Sequence, residues 1–221
     1  NNTKVRCEKG CKIYSNPAAS GEAVKLMNKC VQQTVIESQW QVCSEAYQHM
    51  EFLALFVSPH EYAHAVYDLS SDHLKMPSEP AALLEEPRAE LAAVMTLRLL
   101  LKAGIVDEKR MERLVLAFAV HDFRYLSFFV NSNARAYTIS AIYHFTVYEQ
   151  TGYITYNQDG KVVFDLSKSS QVLNALADLC DEMFTKIEAA DTPWLLQLLE
   201  KMEKPTDTTM SLIKILTAKS S

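Results

Sequence analysis

The stretch His-Glu-Tyr-Ala-His at residues 60–64 decides how the rest of this 221-residue chain folds and what it can bind. Positions i and i+4 of a helix project from the same face, so His60 and His64 can bind one metal ion together. Glu61 lies between them and is placed to act as a general base on water at that metal. The stretch therefore predicts a helix that carries the metal site of a zinc hydrolase.

A second interpretation of the same stretch needs no metal. Ser58-Pro59-His60-Glu61 has the pattern of a capping box, with Ser58 as the N-cap, Pro59 at the first helical position and Glu61 bonding back to the Ser58 N–H. Glu61 would then be a cap and not a base. This interpretation leaves both histidines unexplained, so zinc is the favoured prediction.

The third zinc ligand is expected in Glu-Glu-Pro-Arg-Ala-Glu at residues 85–90. A catalytic zinc has three protein ligands, and successive helical residues diverge by about 100°, so Glu85 and Glu86 cannot both bind it. We predict one Zn²⁺ per chain bound by His60, His64 and Glu86, with Glu85 and Glu90 hydrogen-bonding the ligating histidines. The alternative is a solvated acidic first turn with Arg88 among its neighbours.

The bulk composition is that of an ordinary globular protein. The chain is 48% hydrophobic and 22% charged, with a net charge of -5. It has no basic cluster that would suit nucleic acid, and its longest apolar stretch, near residues 52–57, is too short to cross a bilayer. We expect neither nucleic acid nor a membrane as a partner.

We expect a single domain over residues 1–221, with an extended or loosely packed segment at 1–20 and a core at 45–203. The chain does not begin with Met, which is compatible with a fragment of a longer protein. Five scattered cysteines favour reduced thiols and a cytoplasmic location. Cys7 and Cys11 are the one close pair, and their spacing alone is weak support for a second metal site or a disulfide.

The spacing of apolar residues, with only five glycines and seven prolines, predicts a mainly α fold. One or two helices are expected over about 21–57, interrupted or kinked at Pro59, and the motif helix runs on to about 69. Residues 70–80 are expected to form a loop. Further helices are predicted over about 81–102, 107–130, 131–150, 169–190 and 192–202, the last with Thr192 as N-cap.

One β-hairpin is predicted, with strands at about 153–156 and 161–166 joined by a turn at 157–160. The tail from Lys204 is polar apart from residues 212–216, and it either packs or frays.

The two motifs together resemble those of the dipeptidyl peptidase III family, whose second motif has the form Glu-Glu-x-Arg/Lys-Ala-Glu/Asp. The resemblance extends loosely over residues 52–203, through Asn-Ala-Arg-Ala at 133–136 and the hairpin. It implies a zincin-like helical metallopeptidase domain. It also implies that zinc is bound by His60, His64 and Glu86 and that Glu61 is the general base.

The chain departs from the family pattern at two places. The first motif has five residues where the family usually has six, and Asn131 stands where the family has a histidine four residues before the arginine matched to Arg135. The resemblance implies that Arg135, helped by a nearby Tyr or His, holds the oxyanion. His121 or Tyr125 can supply that help, although a lone histidine on an apolar helix is more often packed.

The other histidines receive ordinary roles. His144 and His49 lie on apolar patterns and are expected to be packed, and His73 is expected to be solvated near the edge of the site.

The predicted function is a zinc-dependent hydrolase, most simply a peptidase, acting on a peptide or an amide-containing small molecule. Members of the resembled family are much larger and bind peptides in a second lobe. A missing lobe or a partner chain would then supply substrate binding here. The alternative is a catalytically weak or inactive zinc-binding interaction module derived from a metallopeptidase.

Overall fold

The fold is a set of packed helices arranged around one long helix. The structure is a computed structural model that describes residues 17–48, 52–66, 69 and 74–218. In chain order the elements are α1 (Pro17–Thr34), α2 (Trp40–Gln48), α3 (Ser58–Val66), α4 (Ser78–Lys102), α5 (Glu108–Leu126), α6 (Arg135–Gln150), β1 (Ile154–Tyr156), β2 (Val162–Phe164), α7 (Ser169–Glu188), α8 (Thr192–Met202) and α9 (Asp207–Thr217). The predicted mainly helical fold with one hairpin is confirmed.

Helix α4 is the central element and packs against α3, α6 and α7. It begins at Ser78, three residues before the predicted start. Pro80 falls in its first turn, where a missing N–H costs no intrahelical bond, so the proline does not delay the helix. The helix ends before Gly104, whose φ of 69° suits a residue without a side chain.

A π-helical turn at Leu53–Val57 leads directly into α3. Because Pro59 has no N–H, the chain cannot make an ordinary α-helical bond there, and a wider turn before it accommodates the loss. The backbone is already helical before Ser58. The capping-box interpretation places Ser58 at a helix start, whereas here the α-helix that begins at Ser58 follows a π-helical turn.

Helices α5 and α6 and the hairpin share an aromatic core. Phe123 on α5 is fully buried and makes edge-on contacts with Phe145 on α6 and Phe164 on β2, at ring-centroid distances of 5.1 and 6.3 Å. Such contacts contribute beyond the area they bury. Phe123 therefore joins three elements that are distant in sequence.

The hairpin is antiparallel, with Ile154 opposite Phe164 and Tyr156 opposite Val162. It is attached to the segment between α1 and α2. Val35 forms an isolated parallel bridge with Val162, and the Gln39 side chain both donates to the Phe164 carbonyl and accepts from its N–H. This attachment was not predicted, because it joins residues more than a hundred positions apart.

Several predicted helix ends are corrected. Helix α5 ends at Leu126 and not near residue 130. The N-cap of α8 is Asp191, whose carboxylate accepts from the Trp194 N–H at 3.2 Å, and Thr192 is the first helical residue. The tail forms α9, which Thr206 caps and which buries Leu212 among other apolar residues.

Some predictions lie outside the described residues, namely those on residues 1–16, Cys7, Cys11, His49 and His73. Helix α1 begins at Pro17, inside the predicted segment of residues 1–20. Within the described part of the chain, no helix has both the length and the apolar character that a membrane span requires.

Replacing Phe123 by alanine should lower the free energy of unfolding by about 3–5 kcal/mol, because it removes a buried ring and leaves a cavity among three elements. Guanidinium denaturation followed by circular dichroism measures this change. Phe129→Ala is the matched control, since that ring is 40% exposed. Its effect should stay within about 0.5 kcal/mol. Equal losses in the two variants would contradict the assigned role of Phe123.

Candidate metal centre

Two histidine rings lie against each other on α3. The ring centroids of His60 and His64 are 4.8 Å apart, and their Nε2 atoms are 3.1 Å apart. Both side chains are close to nine-tenths buried, whereas Tyr62 on the opposite face is 64% exposed. The i, i+4 spacing therefore brings the two imidazoles together on the inner face of the helix, as the motif predicts.

Glu86 on α4 completes the cluster. Its Oε2 atom lies 3.2 Å from His60 Nε2 and 3.4 Å from His64 Nε2. The same oxygen is buried and has no hydrogen-bond partner among the described residues. A buried polar atom in this position is unusual unless a partner is supplied from elsewhere.

The geometry of these three atoms fits a zinc ion. Zinc binds nitrogen and oxygen ligands at about 2.0–2.1 Å with tetrahedral angles, which places any two ligand atoms about 3.3 Å apart. The three observed separations run from 3.1 to 3.4 Å. Two imidazole nitrogens and one carboxylate oxygen are also a donor set found in catalytic zinc sites.

An ion pair between Arg88 and Glu85 lies on the Nδ1 side of His64. Glu85 Oε1 lies 2.9 Å from His64 Nδ1, and Arg88 donates to both carboxylate oxygens of Glu85 at 2.6 and 3.3 Å. Arg88 also donates to the Ala63 carbonyl at 2.9 Å. Glu85 is thus where the sequence expects it, and Arg88 is fully buried instead of solvated.

The contacts between these groups change their pKa values in the metal-free protein. Burial alone would lower the pKa of His64, but its hydrogen bond with Glu85 and the charges of Glu85 and Glu86 raise it to about 9. Burial alone would raise the pKa of Glu86, but its contacts with His60 and His64 lower it to about 2. The centre therefore contains an ionised carboxylate at neutral pH.

Tyr137 on α6 was missed by the sequence analysis. It lies close enough to Glu86 for the charge of that carboxylate to act on it, and its ring stacks on Tyr125 with centroids 4.8 Å apart. Burial and the charge of Glu86 raise the pKa of Tyr137, so it stays a hydrogen-bond donor at neutral pH. No short motif marks this residue, although it lies two positions after Arg135.

Glu61 and Arg135, two of the predicted catalytic residues, lie in different environments. Glu61 is half-buried on α3 and close enough for its charge to raise the pKa of Tyr137. Arg135 is half-exposed and forms ion pairs with Glu79 at 3.3 Å and Glu203 at 2.5 Å. The guanidinium is thus directed to those two surface carboxylates, and its role at an oxyanion stays a prediction.

His121 is packed among aromatic rings. Its ring centroid lies 4.5 Å from that of Tyr125, 5.7 Å from that of Tyr47 and 5.8 Å from that of Phe52. Burial, together with the positive charges of Arg124, His60 and His144, lowers its pKa to about 3. His121 is therefore neutral at physiological pH, in the packed environment that the apolar helix pattern favours.

Glu90 does not take its predicted place beside a ligating histidine. It lies one helical turn beyond Glu86 and accepts a hydrogen bond from the Ser140 hydroxyl. It also lies 3.9 Å from His144 Nδ1. The fully buried carboxylate belongs to a second polar cluster between α4, α5 and α6. Ser140 and His144 lie fifty or more residues after Glu90 in the sequence, so the spacing within the second motif could not indicate these contacts.

Comparison with known proteins gives a fold-level likeness. No protein-family profile and no curated protein matches the sequence. Two solved structures resemble the chain: dipeptidyl peptidase III from Caldithrix abyssi, with a TM-score of 0.75 and 16% identity, and dipeptidyl-peptidase III from Corallococcus sp. strain EGB, with a TM-score of 0.64 and 15% identity. The fold is dipeptidyl peptidase III-like.

The two matches cover most of this chain but less than half of each solved chain. They cover 98% and 86% of this chain, which is more than the predicted range of 52–203, but only 41% and 35% of the solved chains. This chain therefore spans less than half the length of the structures that it resembles.

The environment of His121 predicts a pH dependence of folding. The folded-state pKa of about 3 lies below the ordinary value of 6.5, so the unfolded chain takes up the proton first and stability decreases as the pH falls from 6.5 towards 3. Between pH 7 and pH 5 this decrease amounts to about 2 kcal/mol. In His121→Phe the decrease should be smaller by about that amount.

Urea unfolding of the wild type and of His121→Phe at pH 7 and pH 5 makes the comparison. All other titrating groups are present in both proteins, so their contributions cancel in the difference. The same loss of stability in both proteins would contradict a buried neutral imidazole at position 121.

Proposed function

We propose that the chain is the metal-binding part of a zinc-dependent peptidase or related amide hydrolase. The observation that supports this most directly is the close approach of His60 Nε2, His64 Nε2 and Glu86 Oε2, with no hydrogen-bond partner for the buried oxygen within the described residues. The fold likeness to two dipeptidyl peptidase III structures agrees with it.

Zinc held at such a centre supplies Lewis acidity, which makes water nucleophilic near neutral pH and polarises an amide carbonyl. The residues of the chain have separate tasks around it. Glu85 accepts the Nδ1–H of His64, which fixes the tautomer in which Nε2 is the ligating atom. Tyr137 lies near Glu86, where its hydroxyl group can donate to the carboxylate.

Glu61 is the proposed general base. It accepts one proton of the attacking water and then delivers it to the nitrogen of the leaving amine, which breaks the amide bond and frees a carboxylic acid and an amine. Arg135 enters the mechanism from the sequence resemblance alone.

A second candidate function is a zinc-binding interaction module with little or no activity. The ion pairs of Arg135 with Glu79 and Glu203 favour it. The two candidates agree on the metal and differ in whether a bound peptide is cleaved.

Replacing His64 by alanine should remove one divalent metal ion per chain relative to the wild type, because two ligands hold zinc far more weakly than three. Elemental mass spectrometry on zinc-replete protein measures the metal content, and circular dichroism checks the fold. Tyr62→Phe is the control, since this exposed side chain lies on the same helix and its variant should keep its zinc. Unchanged metal content in His64→Ala would overturn the proposed centre.

Replacing Glu61 by glutamine should keep the zinc and reduce hydrolysis by about 10²–10⁴-fold, which is the usual contribution of a general base. A chromogenic dipeptidyl amide and a peptide mixture analysed by mass spectrometry are suitable substrates, and Tyr62→Phe should retain wild-type turnover. Equal turnover in Glu61→Gln and wild type would exclude Glu61 as the base. A zinc-loaded wild type that cleaves nothing would favour the interaction module.

A further inference from the structure

A second cluster of metal-ligating side chains lies in the interior between three helices. Glu90 comes from α4, Asp122 from α5 and His144 from α6, and each is at most 1% exposed. One ligand atom from each of these residues lies within 4.8 Å of the other two. The cluster shares no residue with the candidate zinc centre, and the mechanism proposed above does not use it.

One atom of each of the three side chains lies within hydrogen-bond distance of a residue outside the cluster. The Tyr148 hydroxyl donates to Asp122 Oδ2 at 2.6 Å, and the Ser140 hydroxyl donates to Glu90 Oε2. Ser140 Oγ also lies 3.4 Å from His144 Nε2, where it can accept the N–H of that ring nitrogen. Such outer hydrogen bonds orient metal ligands and fix the tautomer of a ligating histidine.

The candidate ligand atoms lie close together. His144 Nδ1 lies 3.3 Å from both carboxylate oxygens of Asp122 and 3.9 Å from Glu90 Oε2, and Glu90 Oε1 is buried with no hydrogen-bond partner among the described residues. A charge-assisted N–H···O bond is usually about 2.7–2.9 Å long, so 3.3 Å is long for a direct bond between imidazolium and carboxylate. It is close to the separation of two ligands on one small cation, about 3.3 Å.

The charge of the cluster also requires a partner. Two carboxylates and one imidazole are enclosed without water-exposed surface, and burial raises the pKa of both Glu90 and Asp122. Either protons or a cation must offset the buried negative charge. Imidazole with two carboxylates is a donor set that suits divalent ions such as Zn²⁺ and Mn²⁺.

Catalysis by Ser140 is not a competing explanation. Asp122, His144 and Ser140 are connected in the order of a catalytic triad, but Ser140 is fully buried and donates its proton to Glu90. No substrate can reach that hydroxyl in this arrangement.

We propose that Glu90, Asp122 and His144 form a second divalent-cation site, binding through one carboxylate oxygen of Glu90, one of Asp122 and Nδ1 of His144. The ion would lock α4, α5 and α6 together one helical turn from Glu86. Its role is structural, since the cluster is closed to solvent. The proposal does not depend on whether the first centre is catalytic.

The test measures the metal content of the full chain expressed in medium supplemented with Zn²⁺, and separately with Mn²⁺, and then freed of loosely bound metal by a chelating column. Elemental mass spectrometry should find two divalent ions per chain in the wild type, one in His64→Ala, one in Glu90→Gln and none in the double variant. Glu79→Gln is the matched control, because it changes an exposed glutamate on the same helix. It should retain both ions.

Different results separate the two sites. If Glu90→Gln and wild type both hold one ion, and His64→Ala lacks it, the second site is overturned while the first stands. If metal is lost from Glu90→Gln but not from His64→Ala, the second site stands and the proposed zinc centre fails. Should Glu90→Gln not fold, anomalous scattering from wild-type crystals decides, since a peak beside His144 Nδ1 is expected and its absence overturns the proposal.

Discussion

The buried guanidinium of Arg88 links α3 and α4, the two helices on which the candidate metal centre depends. It donates to the Ala63 carbonyl on α3 and to both carboxylate oxygens of Glu85 on its own helix. A buried charge without partners is very costly, so Arg88 keeps Glu85 ionised and in place, and Glu85 in turn bonds His64. Removing water from such a pair offsets most of its attraction, so we assign it an orienting role more than a stabilising one.

Helix α4 sets the positions of Glu85, Glu86 and Glu90. Because Glu85 and Glu86 diverge by about 100°, they contact opposite nitrogens of the same His64 ring, at 2.9 and 3.4 Å. Pro87 cannot donate a bond to the Leu83 carbonyl, yet the helix continues past it because it is packed against α3, α6 and α7. Glu90, one turn further along α4, lies among side chains of α5 and α6, outside the first centre.

The sequence predicted what depends on local spacing. Apolar periodicity located most of the helices, and the i, i+4 spacing brought His60 and His64 together. Contacts that join distant residues were not predictable in the same way. Tyr137 reaches Glu86, and Ser140 reaches Glu90, only after α6 has packed on α4. The π-turn before Pro59 was also missed, since a proline indicates a break in a helix but not how the chain accommodates it.

Metal binding and substrate binding place different demands on this chain. All three proposed zinc ligands and the ion pair behind them come from α3 and α4, two helices that follow each other in sequence and pack directly. The centre therefore needs nothing from the additional length of the structures that the chain resembles. A peptide, in contrast, must be held along several residues on each side of the reacting carbonyl, and Arg135 is paired with Glu79 and Glu203. Metal affinity can therefore be complete in this chain even where recognition of a peptide requires further surface, and the two properties have to be measured separately.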